Sequence, residues 1–206
     1  MTEAVHRTPK TERGAQTRDD LLEAAQDVFW DKGYIATRVA DIVERAGVSH
    51  GSFYTYFDSK EAVLWALASD LHEILTDAGT GVRAEVGGDE VRTIELATRR
   101  YLDNYMHHRR ITRLMEDVAV FNPDMRAARL HTRELFVHRV ERSIRRLQEA
   151  GKADVRLDAS YASEALVSMV SHFAYHAVVT RRDLNLDTAV ETLTIIWAQG
   201  IGLRVD

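Results

Sequence analysis

The sequence predicts an all-α protein of about nine helices, and three observations support this fold class. Only two prolines and eleven glycines interrupt 206 residues, so long segments can remain helical. Apolar residues recur at spacings of three and four along most of the chain, which is the period of one helix face. Helix-start signals divide these segments; at Asn122-Pro123, for example, Asn can cap a helix and Pro can occupy its first position.

The predicted helices group into a small N-terminal domain and a larger body. Residues 1–16 are expected to form a flexible arm, residues 17–64 a three-helix domain and residues 65–206 the helical body. The first helix should run from about Thr17 to Lys32, because Gly33 can end it. The composition, 45% hydrophobic and 29% charged, is typical of a globular protein in water.

The chain contains no cysteine, which excludes disulfides and thiolate metal sites and fits a reducing compartment. Its first residues, MTEAVHRTPKTER, lack the apolar core of a secretion signal. No segment approaches the length of a membrane span. We therefore expect a cytoplasmic protein without a membrane partner.

Residues 37–61 contain two short apolar segments joined by a tight turn. In the first segment, residues 39–46, apolar side chains recur at i, i+3, i+4 and i+7, which predicts a helix. Thr37 is the predicted cap of this helix. Gly47 stands where the helix must stop, in a conformation with positive φ that glycine adopts without strain.

The second segment begins at Ser49, which can cap another short helix. Phe53 and Phe57 lie four residues apart and are expected to pack back onto the first helix. Asp58 with Glu61 resembles a capping box that would open a third helix immediately. Two helices packed across a turn of three or four residues form a helix-turn-helix, whose second helix can enter the DNA major groove.

The outward side of this second helix is polar and carries few bulky charges. Hydroxyl, imidazole and phenol groups can hydrogen-bond to phosphates or base edges at close range. A generic helical hairpin with a glycine turn remains the alternative. The residues expected to face outwards are His50, Gly51, Ser52, Tyr54, Thr55 and Tyr56.

Net charge argues against DNA binding when it is taken over the whole chain. The protein carries a net charge of −5, and residues 1–60 hold eight Lys and Arg against ten Asp and Glu. A basic domain is the usual electrostatic footprint of a DNA-binding protein. Residues 1–18 are locally basic, with Arg7, Lys10, Arg13 and Arg18. This arm either contacts DNA or touches nothing.

The last two predicted helices are apolar on nearly all sides. A helix of this kind must be buried on all sides, and in a small chain the simplest burial is against a second copy. We therefore expect a homodimer. The residues assigned to its interface are Tyr161, Val167, Val190, Leu193, Ile196 and Trp197.

No signature of chemistry is evident. His172 and His176 share a helix face and could in principle bind a metal, but no carboxylate in register accompanies them. Core or pocket histidines are the better interpretation. The sequence predicts no catalytic residue, metal or cofactor, and an enzyme is the second function class.

From Thr17 to Leu64 the order of residues resembles the DNA-binding domain of the TetR family of bacterial transcription regulators. Two positions depart from the family pattern: Arg38, where a small hydroxyl residue is more common, and Phe53, where leucine is usual. Arg38 could add a phosphate or base contact, and Phe53 should still fill the core. The matching residues are Leu21-Leu22-Glu23-Ala24-Ala25, Phe29, Gly33-Tyr34, Thr37, Asp41-Ile42, Ala46-Gly47-Val48-Ser49, Gly51-Ser52-Phe53-Tyr54, Tyr56-Phe57 and Ser59-Lys60-Glu61.

This resemblance implies a ligand-responsive regulator, expected to be a repressor that binds a palindromic operator as a dimer. It adds Thr37, Arg38, Ser49 and Lys60 to the DNA-binding residues, with Lys60 as a phosphate contact. The alternative is a cofactor-free ligand-binding protein or enzyme that keeps a non-functional DNA-binding head. Activation instead of repression stays open.

The resemblance also implies a cavity in the helical body for a small effector. Its mostly apolar wall suggests a hydrophobic or aromatic effector, oriented by a few polar groups. The residues assigned to the pocket are Trp65, Tyr105, Met106, Met115, Phe121, Phe136, Met169, His172, Phe173 and His176.

Overall fold

The computed structural model describes residues 11–77, 79–180 and 184–204, and it describes no side chain for residues 178–180. These residues form ten helices and no strand, which confirms the all-α prediction. Nine of the helices are seven residues or longer, and the tenth, α5, is a single turn. No helix within the described ranges is both long enough and apolar enough to cross a membrane.

The helices follow one another with short connections. Glycines with positive φ lie at several of the junctions, including Gly33 after α1, Gly47 after α2 and Gly151 after α8. The bounds are α1 Glu12–Lys32, α2 Val39–Ala46, α3 His50–Tyr56, α4 Lys60–Asp77, α5 Val82–Glu85, α6 Glu90–His107, α7 Arg109–Ala119, α8 Pro123–Glu149, α9 Ala159–Thr180 and α10 Leu186–Gly200.

The chain divides into two compact units. The first contains the described residues up to His72 together with Arg110–Met125, and the second contains Glu73–Arg109 and the chain from Arg126 onwards. In the first unit α1 packs against α2, and fully buried residues from four helices form its core: Leu21, Ile42, Phe53 and Leu64. The predicted domain boundaries at residues 16 and 64 remain predictions.

The second unit has two apolar clusters. One joins α6, α9 and α10 through Leu102, Tyr105, Ala174, Val190 and Leu193. The other is centred on α8 and includes Ile144, Leu147, Leu166 and Ile201. Half-buried Met169 packs against both clusters, so the helices of this unit share one continuous apolar interior.

The first helix begins five residues before the predicted Thr17. Thr11 caps it, since its hydroxyl accepts a hydrogen bond of 3.1 Å from the Gly14 backbone N–H. Nothing between Glu12 and Thr17 breaks a helix once this cap is made. Residues 12–16 are therefore helical, although they were assigned to the flexible arm. Residues 1–10, the rest of that arm, lie outside the described residues.

Three further helix starts differ from the prediction. Ser59, not Asp58, caps α4, because its hydroxyl accepts a hydrogen bond of 3.2 Å from the Ala62 N–H. Asn185 caps α10 through the Thr188 N–H at 3.0 Å, so the helix begins before the predicted Asp187. The expected loop between Gly81 and Asp89 contains the short helix α5. The first two differences arise because several neighbouring residues could serve as a cap.

Other local predictions are confirmed. The Asn122 side chain accepts a hydrogen bond of 3.0 Å from the Met125 N–H, and Pro123 is the first residue of α8. Asp89 caps α6 through the Arg92 N–H at 2.9 Å. On α8, however, the predicted apolar face includes Leu130 and Leu135, which are both exposed in the single chain.

The predicted dimer residues divide into two groups. Val167, Val190 and Leu193 are buried inside their own chain, so they are not available to a partner. Val190 and Leu193 are buried because α10 packs against α6 of the same chain. Tyr161 and Ile196 are exposed by 80% and 49%, and both can contact another molecule. Trp197 is half-buried against the α8 cluster.

Candidate nucleic-acid interface

The helix-turn-helix is formed by α2, the turn Gly47–Ser49 and α3. Arg38 is the residue before α2, and its backbone N–H donates a hydrogen bond of 2.8 Å to the Asp41 carboxylate. At the other end Gly47 has a φ of 65°, which confirms the predicted left-handed turn. The Val48 N–H bonds to the Val43 carbonyl at 3.1 Å, which closes α2.

The short helix α3 is held by a cap and by two buried rings. The Ser49 hydroxyl accepts a hydrogen bond of 3.1 Å from the Ser52 N–H and shares one of 3.0 Å with the Ser52 hydroxyl. Phe53 and Phe57 are almost completely buried, with ring centroids 5.9 Å apart. The cap and the packing of both phenylalanines confirm the prediction.

The outward face of α3 carries no Lys, Arg, Asp or Glu side chain. His50, Gly51, Tyr54 and Thr55 are exposed, and Ser52 and Tyr56 are partly exposed. The Thr55 hydroxyl donates to the Gly51 carbonyl at 3.0 Å, which leaves its methyl group outermost. A Cβ added at Gly51 would meet nothing closer than Ser49 Oγ at 3.7 Å, so the fold does not require glycine at this position.

Thr37 does not belong to this surface. Its side chain is only 2% exposed, and its hydroxyl donates a hydrogen bond of 2.8 Å to the Gly33 carbonyl. It is also not the cap of α2, which begins after Arg38. The predicted roles of Thr37 are therefore corrected: it stabilises the connection between α1 and α2. A buried threonine and a capping threonine have the same sequence pattern.

The Lys60 side chain forms hydrogen bonds within its own domain. Its ammonium nitrogen lies 2.9 Å from the Tyr34 carbonyl oxygen, 3.2 Å from that of Ile35 and 2.8 Å from that of Thr37. The side chain is directed into its own domain, and the phosphate contact that the TetR resemblance implies for Lys60 stays a prediction. Because an ammonium has three N–H donors, this geometry satisfies all of them.

Most other cations of the first unit are also paired. Lys32 binds Asp41 at 2.7 Å, and Arg45 lies 3.2 Å from Asp27 and 3.1 Å from Asp31. Asp27 also accepts a contact of 2.6 Å from Arg110 at the start of α7. Sequence reasoning missed this cluster because its members are far apart in the chain.

Arg38 differs from these cations. Its side chain is exposed, and it forms no salt bridge with another residue of the described part of the chain. It stands at the entrance of α2, on the helix-turn-helix itself. The Arg38 guanidinium therefore lies at the surface beside the start of α2.

Comparison with known proteins agrees with this geometry. The sequence model described as bacterial regulatory proteins of the tetR family matches residues 21–67, the span of α1 to α4 that contains the helix-turn-helix. The transcriptional regulator TtgR of Pseudomonas putida is 29% identical over 198 residues, covering 88% of this chain and 87% of that protein. Residues 21–67 therefore match the DNA-binding domain of the tetR family of bacterial regulatory proteins.

A further relative and a solved structure agree with this match in sequence and in fold, respectively. The repressor KstR2 of Mycolicibacterium smegmatis is 43% identical over 56 residues, which covers 27% of each chain. A solved complex of SmeT with triclosan shares the fold, with a TM-score of 0.72 at 20% identity over 92% of this chain and 95% of that chain. These relatives match the TetR resemblance inferred from the sequence.

The predicted effector residues are dispersed between the two units. Trp65, Met115 and Phe121 belong to the first unit, where Phe121 is half-exposed and stacks on Tyr34 with ring centroids 6.3 Å apart. His172 and His176 are exposed on α9, with their Nε2 atoms 3.1 Å apart, so they do not line the interior of the single chain. No described cluster of three or more His, Cys, Asp or Glu could hold a metal ion.

The remaining predicted pocket residues lie in the second unit. Tyr105 is buried in the cluster of α6, α9 and α10, and half-buried Met169 and Phe173 pack against it. Met106 and Phe136 are half-buried. Thr194 of α10 was not predicted: its buried hydroxyl has no hydrogen-bond partner in the described part of the chain. Nothing in the sequence distinguishes this threonine from others on the helix.

The stabilisation provided by the Asp41 carboxylate at the start of α2 should depend on pH. The hydrogen bond from Lys32, followed by that from the Arg38 backbone, holds the pKa of Asp41 below its ordinary value of 3.8. A carboxyl with a lowered pKa in the folded state stabilises the fold at higher pH. This stabilisation is complete above the ordinary value and is lost as the pH falls through the lower folded value.

We predict that Asp41→Asn lowers the stability of the protein at pH 7 and that the difference from wild type shrinks below the ordinary pKa of Asp41. Urea unfolding at a series of pH values measures this difference. Glu44→Gln, on the exposed face of the same helix, is the matched control and should leave stability unchanged at both ends of the series. A deficit in Asp41→Asn that does not change with pH would contradict the assignment.

Proposed function

We propose that this regulator is a ligand-responsive repressor that binds a palindromic operator as a homodimer. The observation that carries the proposal is the outward face of α3, which is polar, exposed and free of carboxylates. A two-fold dimer would present two such helices to half-sites separated by about one helical turn of DNA or a multiple of it.

The chemistry of α3 suits direct contact with base edges. His50 can donate or accept a hydrogen bond, and a serine hydroxyl such as that of Ser52 can bond to either base type. Gly51, which lies between His50 and Ser52, has no side chain, and this favours close approach of the backbone to DNA. The exposed Tyr54 ring lies edge-on to the Phe53 ring, with ring centroids 5.4 Å apart.

Arg38 and His50 should have separable effects on DNA binding. On a duplex selected by the wild-type protein, Arg38→Ala should weaken binding to all sequences and reduce the slope of log affinity against log salt by about one. His50→Ala should leave that slope unchanged and alter the preferred base at one position in each half-site, at a cost of about 1–3 kcal/mol. Fluorescence anisotropy across salt concentrations measures both effects.

An unchanged salt slope in Arg38→Ala would reject its phosphate contact. Unchanged base preference in His50→Ala and in a matching Ser52→Ala variant would show that α3 does not read the sequence. These two results are independent, because one concerns charge and the other concerns base edges.

The dimer proposal rests on the exposed sides of α9 and α10. Along α9, small, aromatic and imidazole side chains recur at helical spacing and are all exposed. On α10, Ile196 is 49% exposed beside the polar Thr192 and Gln199. A second copy would cover these surfaces. The exposed residues of α9 are Ser160, Tyr161, Glu164, Ala165, Ser168, His172 and His176.

We predict that Ile196→Glu converts the dimer into a monomer, because two introduced carboxylates would be buried at a two-fold interface. Sedimentation equilibrium should give half the wild-type mass, while circular dichroism keeps the helical signal. Val155→Glu is the control, since Val155 is 74% exposed in the connection between α8 and α9. A monomeric wild type, or an Ile196→Glu variant that stays dimeric, would contradict this interface.

The effector proposal rests on the interior of the second unit. Tyr105, Met169 and Phe173 pack in one apolar cluster of this unit, and the buried hydroxyl of Thr194 on α10 has no hydrogen-bond partner among the described residues. A mostly apolar wall with one or two hydrogen-bonding groups suits a hydrophobic or aromatic molecule that carries a hydroxyl or carbonyl group.

Ligand control requires reciprocal coupling between effector and DNA. Triclosan, an apolar aromatic with a hydroxyl group, is a suitable probe. If triclosan binds to this protein, bound operator should lower the affinity for triclosan by about 5–150-fold. Bound triclosan should lower the affinity for operator by the same factor. Isothermal titration with and without duplex measures this factor. Equal triclosan affinities in both titrations would contradict ligand control through this probe.

A further inference from the structure

Two histidines on the exposed side of α9 lie next to each other. His172 and His176 are four residues apart, so their side chains project from the same face of the helix. Their Nε2 atoms are 3.1 Å apart, and their ring centroids are 4.6 Å apart. Because both side chains are exposed, neither is a core histidine of the single chain. A binding role for this pair would therefore be directed away from the interior.

The separation of the two nitrogens matches that of two ligands of one metal ion. Imidazole nitrogens bind zinc at about 2.0–2.1 Å, and the angle between neighbouring ligands is about 90° in an octahedral site and about 109° in a tetrahedral one. These values place two such nitrogens about 2.8–3.4 Å apart. Without metal, the same separation suits a hydrogen bond from one imidazole N–H to the other ring nitrogen. A metal ion would replace that shared proton.

Tyr175 lies against both histidines. Its ring centroid is 6.2 Å from that of His172 and 5.7 Å from that of His176. The same half-buried ring packs against the apolar cluster of α6, α9 and α10. The two imidazoles thus contact a side chain that interior packing holds in place. A pair held in this way loses less conformational freedom on binding an ion than two unsupported histidines would lose.

The histidine pair lies in a part of α9 that has no charged side chain. After Glu164, the sequence of α9 contains no Lys, Arg, Asp or Glu up to Thr180. Arg133 of α8 donates a hydrogen bond of 2.7 Å to Ser168 Oγ, one turn before His172. The same guanidinium lies 2.6 Å from the Glu164 carboxylate. Since this carboxylate offsets its charge, Arg133 opposes a cation at the pair only weakly.

One chain supplies only half of a closed metal site. Structural zinc sites are almost always four-coordinate, and the described part of the chain has no cluster of three or more metal-binding side chains. The pair lies on the side of α9 that the proposed dimer would cover. In a two-fold interface the same patch of each copy faces the other. The same two imidazoles of a second copy would bring the nitrogen ligands to four.

We propose that His172 and His176 bind a divalent transition-metal ion of the zinc class, and that the same pair of a second copy completes the site. Imidazole suits zinc, copper and nickel, whereas calcium and magnesium prefer oxygen ligands. The completion of the site rests on the proposed homodimer. The ion stabilises this dimer, because it binds two copies together more tightly than it binds one.

The experiment titrates metal-free protein with zinc chloride in a calorimeter. Wild type should bind one zinc ion per two chains. His172→Gln and His176→Gln should each weaken binding by more than the roughly 10–100-fold that follows loss of a residue that only orients a ligand. His138→Gln is the matched control and should leave zinc binding unchanged. His138 is an exposed histidine of α8 beside Glu141, which Arg145 already binds at 2.6 Å.

Two further measurements distinguish a shared site from a chelate within one chain. Cobalt(II) in place of zinc should give the strong visible absorption of a tetrahedral complex in wild type. In Ile196→Glu, the predicted monomer, this absorption should be weak and the stoichiometry should change to one ion per chain. Zinc should also raise the melting temperature of wild type and leave that of His172→Gln unchanged.

Three results would overturn the proposal. Absence of zinc binding in wild type, or wild-type binding in both His172→Gln and His176→Gln, would reject the pair as the site. One ion per chain in a dimeric wild type would reject its completion by a second copy. A wild type that stays monomeric with zinc would reject the proposed dimer and the shared site together. The His172→Gln titration would then still decide whether the pair holds an ion.

Discussion

A helix of seven residues is too short to persist alone in water, and the α3 helix therefore depends on what holds it. The Ser49 cap and the burial of Phe53 and Phe57 supply that support. The two rings occupy the inward side of α3, so the outward side is left to small and polar groups. One packing constraint thus produces both the stability of the helix and the surface that it presents.

The charge distribution of the first unit follows from the same need for a rigid support. Asp27 bridges Arg45 of α2 and Arg110 of α7, and Lys32 joins α1 to Asp41. These cations hold helices together and contribute little net field at the surface. The summed charge of the first unit is small, which by itself would argue against DNA binding. It is small because the cations of this unit are paired with carboxylates that join its helices. Exposed ion pairs stabilise only weakly, so their main effect is on orientation.

The fold class and the helix-turn-helix could be predicted because they depend on local patterns. The glycine at position 47, the cap at Ser49 and the rings four residues apart are all specified within a few positions of one another. Lys60 could not be assigned in this way, since the carbonyls that it binds lie more than twenty residues earlier. Likewise, the apolar character of α10 does not indicate that α6 of the same chain buries Val190 and Leu193.

The central claim is that the exposed face of α3 reads DNA as one half of a symmetric pair. The most direct measurement is a structure of the protein bound to a duplex selected from random sequence. The account predicts two copies related by a two-fold axis, with His50 and Ser52 of each α3 at base edges in the major groove. A complex in which α3 faces solvent, or in which DNA lies against another surface, would contradict it.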